Sequence, residues 1–399
     1  MRYKVNVSDL QTGMYVAELD RSWVGTPFLF QGFLIETDEE LEQLKTTCSF
    51  VIVDEAQSKI PVAQVGKPPE GTTPAAKDVP SLKLADSGSS HATAVRAAAQ
   101  DNIGGLFASA EQGGDLDSEI KQAQTIIERL VKQSAKPNLM MQLANLRPKQ
   151  DRNAGHALNT AILAIAFGRH LGHSEERLRL LGLGAILHDI GKLRTPAEIL
   201  NKPGELTDAE FAVVKRHPAD GYEMLQSVAG LPSEVVDMVR YHHERIDGSG
   251  YPNGLRDDQV SLSAGIIGIV DAYETLTTDN SYQPAITPAE ALQRLRTTGM
   301  AGYGQELTQD FMRFIGLYPV GSLVKLSSGD MAVVFASDPS NRLRPLVMIA
   351  YDAQGREIQP HRLVNLAGLP TEKLSIQSII DPKKHAIDTS RLFEKELGH

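Results

Sequence analysis

The sequence holds a single cysteine, Cys48, and a single tryptophan, Trp23, and aromatics make up only 6% of its 399 residues. One thiol excludes any disulfide within the chain and suits a reducing compartment. No stretch approaches the roughly 20 apolar residues of a membrane-spanning helix, and the opening Met1-Arg-Tyr-Lys-Val-Asn-Val-Ser-Asp has no apolar run resembling a signal peptide. Positive charge is short as well. Forty Lys and Arg against 50 Asp and Glu leave a net charge of −10, which argues against a general binder of nucleic acid or membrane surface, since both want a basic face. An anionic substrate would have to be held by a local site rather than by the overall field. The expectation is a soluble, cytoplasmic protein of two or three domains, with no nucleic-acid partner and no membrane insertion.

What is present is a change of texture along the chain. Residues 1–62 alternate apolar and polar, as at Tyr3, Val5 and Val7, with Ser49-Phe-Val-Ile-Val-Asp as a buried strand and a Thr37/Glu40 capping box opening a short helix. They predict a small α+β accessory module, with Trp23 a core anchor rather than a ligand platform. Residues 63–116 are rich in Pro, Gly, Ala, Ser and Thr and predict a flexible linker, with Ala92 to Ala99 transiently helical. From 117 to 318 the signal is helical. Ile120, Ala123, Ile127, Leu130 and Val131 form an apolar stripe over 117–133, fit for a homodimer seam or for core packing. Helices are expected over 156–170, 175–191, from the Thr207/Glu210 box to Arg216, from Ser233 as cap to His242-His243, over 262–277, and from Thr287-Pro-Ala-Glu290 onward, with Pro at the first position. Short strands at Ser322, Met331 and Leu346 predict a small β module over 319–370, followed by a loosely ordered tail, 371–399.

The chemistry concentrates around Leu187-His188-Asp189-Ile190-Gly191-Lys192. An imidazole and a carboxylate at the end of an apolar helix are costly to bury unless a charge or metal compensates. His156, His217, His242, His243 and Asp271 lie on neighbouring helices or at their ends and can converge on the pair. Neutral imidazoles with carboxylates suit iron, manganese, nickel or zinc, and a carboxylate can bridge two ions; Asp189, central in the set, is the natural bridge. His170 and His173, followed by the solvated Glu175-Glu176-Arg177, are set aside. Any one of these histidines alone would be an ordinary core or surface residue. Seven His and Asp positions in one helical segment point instead to a metal-dependent hydrolase.

Joined to His242-His243-Glu244-Arg245-Ile246-Asp247-Gly248-Ser249-Gly250-Tyr251-Pro252-Asn253-Gly254, the His-Asp pair becomes a strong signal. With Ile199-Leu-Asn-Lys-Pro-Gly-Glu-Leu-Thr and Lys215-Arg-His-Pro-Ala-Asp-Gly, residues from about 150 to 315 resemble an HD-GYP domain, the HD hydrolases that cleave cyclic dinucleotides. The flanks resemble the small modules that accompany such domains in bacterial signalling proteins. The resemblance implies a mainly α chain: a helical HD-type bundle preceded by a small α+β module and followed by a small β appendage. It implies one divalent ion on His156, His188, Asp189 and Asp271, with Asp189 bridging to a second on His217, His242 and His243. Iron or manganese leads, with nickel or zinc as alternatives. Lys192 would bind a non-bridging phosphate oxygen, and Gly248, Gly250, Tyr251 and Pro252 would wall the substrate cleft. The implied activity is hydrolysis of cyclic di-GMP to pGpG, GMP or both by a metal-bridging hydroxide, with signalling proteins as further partners.

Two departures from the family pattern stand out. Where some relatives carry a Glu for a third metal, one turn before the first His, this chain has Arg152, which favours two ions. After Asp271 the family reads Asp-x-Tyr-Asp-Ala-Leu and then two basic positions, whereas this chain reads Asp271-Ala-Tyr-Glu-Thr-Leu and places neutral Asn280 and Gln283 there. Losing two charge-assisted contacts costs ground-state affinity of about 1.5–3 kcal/mol each. Hydrolysis of another cyclic or linear dinucleotide, or a catalytically weak binding module, are therefore the alternatives. A deoxynucleotide phosphohydrolase of the wider HD class fits less well, because of the Gly-Tyr-Pro segment.

Overall fold

The computed structural model describes residues 2–20, 33–62, 89–146, 152–279, 284–337, 341–369 and 373–397. Trp23, Asn280 and Gln283 lie outside them. The chain forms two compact units, one of residues 1–79 and 369–375, the other of 80–368 and 376–399.

In the first unit, β1 (Arg2–Asn6), β2 (Tyr15–Leu19), β3 (Phe33–Leu34) and β4 (Phe50–Asp54) make an antiparallel sheet ordered β1-β4-β2-β3. Period-two alternation puts Tyr3, Val5, Val51 and Val53 into one core. Helix α1 (Asp38–Thr47) starts at the expected capping box: Thr37 accepts from the Glu40 N–H, and the Glu40 carboxylate accepts from the Thr37 N–H at 3.0 Å.

The second unit is mainly helical. Its elements are α2 (Ser89–Glu111), α3 (Leu116–Gln133), α4 (Pro137–Ala144), α5 (Arg152–His170), α6 (Glu175–Leu187), α7 (Ala197–Leu200), α8 (Asp208–Val214), α9 (His217–Leu225), α10 (Ser233–Tyr241), α11 (Leu262–Thr277), α12 (Pro288–Gly302) and α13 (Gln305–Ile315). Helices α5, α6 and α11 form its centre, with Ala161, Ile162, Ile165, Leu181, Ile186, Ile266 and Val270 buried. Helices whose apolar residues spread round most of their girth must lie inside a bundle, as α5, α11 and the second half of α6 do.

Several expectations change. The proposed linker contains α2, which buries Ile103, Leu106 and Phe107 and packs on α3 and α5. Its Ala/Gly/Ser texture is that of a helix held by tertiary contacts rather than by its own propensity. Of the two readings of the α3 stripe, core packing holds: it is buried against α2 and α6, and that face is not free to form a homodimer seam. Helix α6 ends at Leu187 rather than Gly191, and the chain continues as a 3-10 turn, Ile190–Arg194. Finally, Pro232 rather than Ser233 occupies the N-cap of α10.

After α13 come β5 (Leu323–Leu326), β6 (Met331–Ala336), β7 (Leu346–Tyr351), β8 (Glu357–Asn365) and β9 (Ile376–Ile379), an antiparallel sheet ordered β8-β7-β6-β5-β9. The segment expected to be a loose tail is structured here. It supplies β9 as an edge strand and α14 (Thr389–Leu397), whose Phe393 stacks on Phe335 at 5.3 Å.

Candidate metal centre

All seven predicted His and Asp residues meet at one place. His188 is the C-cap of α6, His217 follows the end of α8, and His242 is the C-cap of α10. The last carbonyls of a helix lack intrahelical donors. Each of these imidazoles uses one: Nδ1 of His188 lies 2.7 Å from Ala185 O, that of His217 2.7 Å from Val214 O, and that of His242 2.8 Å from Val239 O. Nδ1–H therefore donates, and Nε2 keeps its lone pair for the centre.

His156 differs. It lies in the first turns of α5, where carbonyls already accept helical bonds, and its Nδ1 meets Glu274 Oε2 at 2.5 Å instead. Glu274 is buried on α11 and is held in place by Asn159 Nδ2 at 3.1 Å and Thr278 Oγ1 at 3.0 Å. Such a carboxylate orients an imidazole and raises its basicity toward a metal.

The Nε2 atoms form two pairs, His156 with His188 and His217 with His242, each 3.2 Å apart. Asp189 faces both. Its Oδ2 lies 3.5 Å from His156 and 3.4 Å from His188, and its Oδ1 lies 3.2 Å from His217 and 4.0 Å from His242. Asp271 Oδ1 completes the first group, 3.2 Å from His156 and 3.7 Å from His188. His243 joins His217 and His242 in the second, with one ligand atom from each within 4.8 Å of the others.

The donor set fits divalent ions. Two imidazole nitrogens about 2.1 Å from a common ion come about this close to each other. Asp189 Oδ1, moreover, is buried without a hydrogen-bond partner, an unusual state for a carboxylate oxygen. Burial alone would lower the His156 and His188 pKa values, but Glu274 for His156 and Asp189 for His188 override it. His156 is held well above the ordinary range and His188 is raised to about 9. Burial pushes Asp189 upward, yet His188 and Lys192 hold it well below the usual carboxylate range. His242 and His243 are held well below theirs by burial and by neighbouring imidazoles, and so remain neutral.

Lys192 reaches the site from the 3-10 turn, with Nζ 2.5 Å from Asp189 Oδ2. That turn packs so closely on the start of α9 that a Cβ at Gly191 would meet the His217 carbonyl oxygen and the Gly221 nitrogen, so glycine is required there.

The 247–255 loop forms the outer wall. Tyr251 stacks on His243, with ring centroids 4.7 Å apart, and burial raises its hydroxyl pKa, keeping it a hydrogen-bond donor. Gly250 sits on the backbone of Glu244 and Arg245, where no side chain fits. Pro252 follows a cis peptide bond. Glu244 anchors the loop from below: its buried carboxylate accepts the N–H of Asn253 at 2.6 Å and of Leu255 at 2.9 Å. The sequence reading did not single out Glu274, Asn159 or Glu244. His170, set aside as a ligand, packs instead against Phe167 and Phe314.

The helical bundle and its paired His/Asp groups define an HD-domain protein, and comparison with known proteins agrees. Family models match an HD domain over residues 138–307, a domain of unknown function (DUF3391) over 2–154, and a KOW domain associated with the HD domain over 323–387. A cyclic di-GMP phosphodiesterase of Pseudomonas aeruginosa is 31% identical over 377 residues, 92% of this chain and 89% of that protein. A 3'3'-cGAMP-specific phosphodiesterase of Vibrio cholerae is 39% identical over 141 residues, 35% of this chain and 32% of that one. Among solved structures, an HDG"Y"P protein from Bdellovibrio bacteriovorus shares the fold, with a TM-score of 0.50 and 19% identity over 78% of this chain and 98% of that one. The chain belongs to the HD-GYP family of HD-domain proteins.

Proposed function

We propose that this chain is a metal-dependent phosphodiesterase that hydrolyses cyclic di-GMP to the linear dinucleotide pGpG, with further cleavage to GMP, in second-messenger signalling in the cytoplasm. The observation that carries the reading is the two-sided placement of Asp189, with one oxygen toward each histidine pair. On this reading His156, His188, Asp189 and Asp271 hold one divalent ion, and His217, His242 and His243 share Asp189 to hold the second. The mixed imidazole and carboxylate donors favour iron or manganese, with nickel or zinc as alternatives. Bound divalent ions supply a nucleophile drawn from water near neutral pH and neutralise charge on the phosphodiester. The protein then has to position and shield. Lys192, beside Asp189, offers its ammonium to a non-bridging oxygen of the reacting phosphate. Tyr251 closes the wall over His243 and keeps a hydroxyl donor at the cleft, while Gly250 and Pro252 shape the loop behind it. No side chain is assigned as a nucleophile.

A second reading, hydrolysis of another cyclic dinucleotide, is favoured by the neutral Asn280 and Gln283 at positions where the family pattern is basic. One experiment separates the two: anaerobic incubation of metal-analysed protein with cyclic di-GMP and with 3'3'-cGAMP, and product chromatography over time. Turnover of cyclic di-GMP that scales with two ions per chain supports the first reading. Fully metallated protein that ignores cyclic di-GMP but cleaves the mixed dinucleotide moves the assignment to the second. Protein that takes up no metal and cleaves neither is a binding module instead.

A further inference from the structure

The aromatic wall of the site continues past Tyr251. Lys215, the C-cap of α8, holds its Nζ 5.3 Å from the Tyr251 ring centroid and 4.7 Å from that of Phe211. Tyr251 in turn stacks on the metal-facing His243. Read outward from the centre, the surface runs imidazole, phenol, ammonium, phenyl.

Phe211 is 44% exposed; Leu262 is the other large apolar side chain exposed among the described residues. None of the residues of α8 is buried, so this ring does not serve a core. A Phe–Lys pair four residues apart on a helix is an ordinary local contact. That pairing does not explain why the same ammonium also lies over a ring of the site's own loop. Nor does it explain a phenyl face left in water beside a phosphodiester site. Among the described residues, Lys215 also makes no ion pair, so its charge is not spent on a neighbouring carboxylate.

A cyclic dinucleotide with one phosphate at the centre must project its bases and its second phosphate outward. An exposed π face beside an unneutralised cation is the chemistry that holds such a fragment, because bases stack on aromatic rings and ammonium groups bind phosphate. We infer that Phe211 is the stacking platform for one nucleobase of the substrate and that Lys215 binds the phosphate that is not being cleaved. This deepens the hydrolysis reading above and rests on it for the identity of the ligand.

The direct test is fluorescence. Phe211→Trp places an indole on the platform, and the parent chain, with Trp23 alone, supplies the background. Titration of the metal-loaded variant with cyclic di-GMP should quench the new emission saturably, since guanine stacked on indole quenches it, whereas inorganic phosphate should not. In parallel, Phe211→Ala and Lys215→Gln should each raise KM for the dinucleotide about tenfold, as expected for losing one base stack or one charged contact, with kcat and metal content changing far less. The KM increase should be several-fold smaller on bis(p-nitrophenyl) phosphate, which has neither purine nor second phosphate. Absence of quenching, or equal losses on both substrates, overturns the platform. Hydrolysis without quenching removes the platform and leaves the hydrolysis reading. Quenching without hydrolysis of any cyclic dinucleotide keeps the platform and removes the hydrolysis reading.

Discussion

Glu274 meets His156 at 2.5 Å and gives that imidazole a carboxylate partner, where His188, His217 and His242 each have a backbone carbonyl. The difference follows from position. Three histidines sit where a helix has just ended and its carbonyls are available, and the fourth sits where they are not.

Glu274→Gln should therefore weaken metal binding at the His156 group by roughly 10- to 100-fold, the usual cost of losing such a partner, and leave the His217 group loaded. Competition with a chelator of known affinity, read as metal per chain, measures this. Equal weakening of both ions would show that Glu274 acts through general stability.

Asp189→Ala should empty both positions, because each histidine pair loses a donor from the same carboxylate. Hydrolysis should fall to background, and the metal content of purified protein should drop well below that of the parent. Near wild-type turnover in this variant would sink the bridging role.

The pH dependence of the metal-free protein follows from the shifts at His188 and Asp189. The His188 pKa is raised from 6.5 to about 9 in the folded chain, so its stabilising charge is fully present below pH 6.5 and is lost as pH rises through 9. Asp189 is depressed, so its contribution is present above its ordinary 3.8 and is lost only on further acidification. His242 and His243 are held neutral, so acidification below 6.5 costs stability as well, and chelated protein should be most stable near pH 6.5 and lose stability from pH 6.5 to 9, with metal affinity rising over that interval as protons cease to compete. Urea midpoints of chelated and metal-loaded protein at pH 6.5 and 9 test the sign.

Glu244→Ala should detach the 247–255 loop without touching a metal position. Two loop N–H groups lose a charged acceptor, at a cost of about 1.5–3 kcal/mol each. KM should rise at least tenfold while two ions remain bound, measured by steady-state kinetics beside metal analysis. Loss of metal in this variant would mean that the loop supports the centre itself.

Much of this was legible in the chain. The capping boxes at Thr37 and Thr207 and the helix start at Thr287-Pro288 form as their sequences predict, because capping is local. The His and Asp cluster was legible because adjacent His and Asp residues at apolar helix ends demand compensation. Glu274 and Glu244 were not, since each is one of 50 acidic residues and its role is set by which helix turn it faces across the bundle. Helix α2 was hidden for a related reason: Ile103, Leu106 and Phe107 are buried by neighbours, whereas the surrounding composition reads as linker. The α3 stripe signalled burial but could not say against what.

The helix ends around the centre have an electrostatic consequence of their own. Helices α6, α8 and α10 finish beside His188, His217 and His242, so the negative ends of three macrodipoles approach one another there. Helix α9 begins at His217 and brings a positive end to the same place, so side chains decide the balance: Asp189 and Asp271 draw cations, and Lys192 is the ammonium already drawn. A phosphodiester is an anion. In the proposed reaction it would meet Lys192 and the ions that the carboxylates hold, so metal supply bears on substrate entry as well as on cleavage.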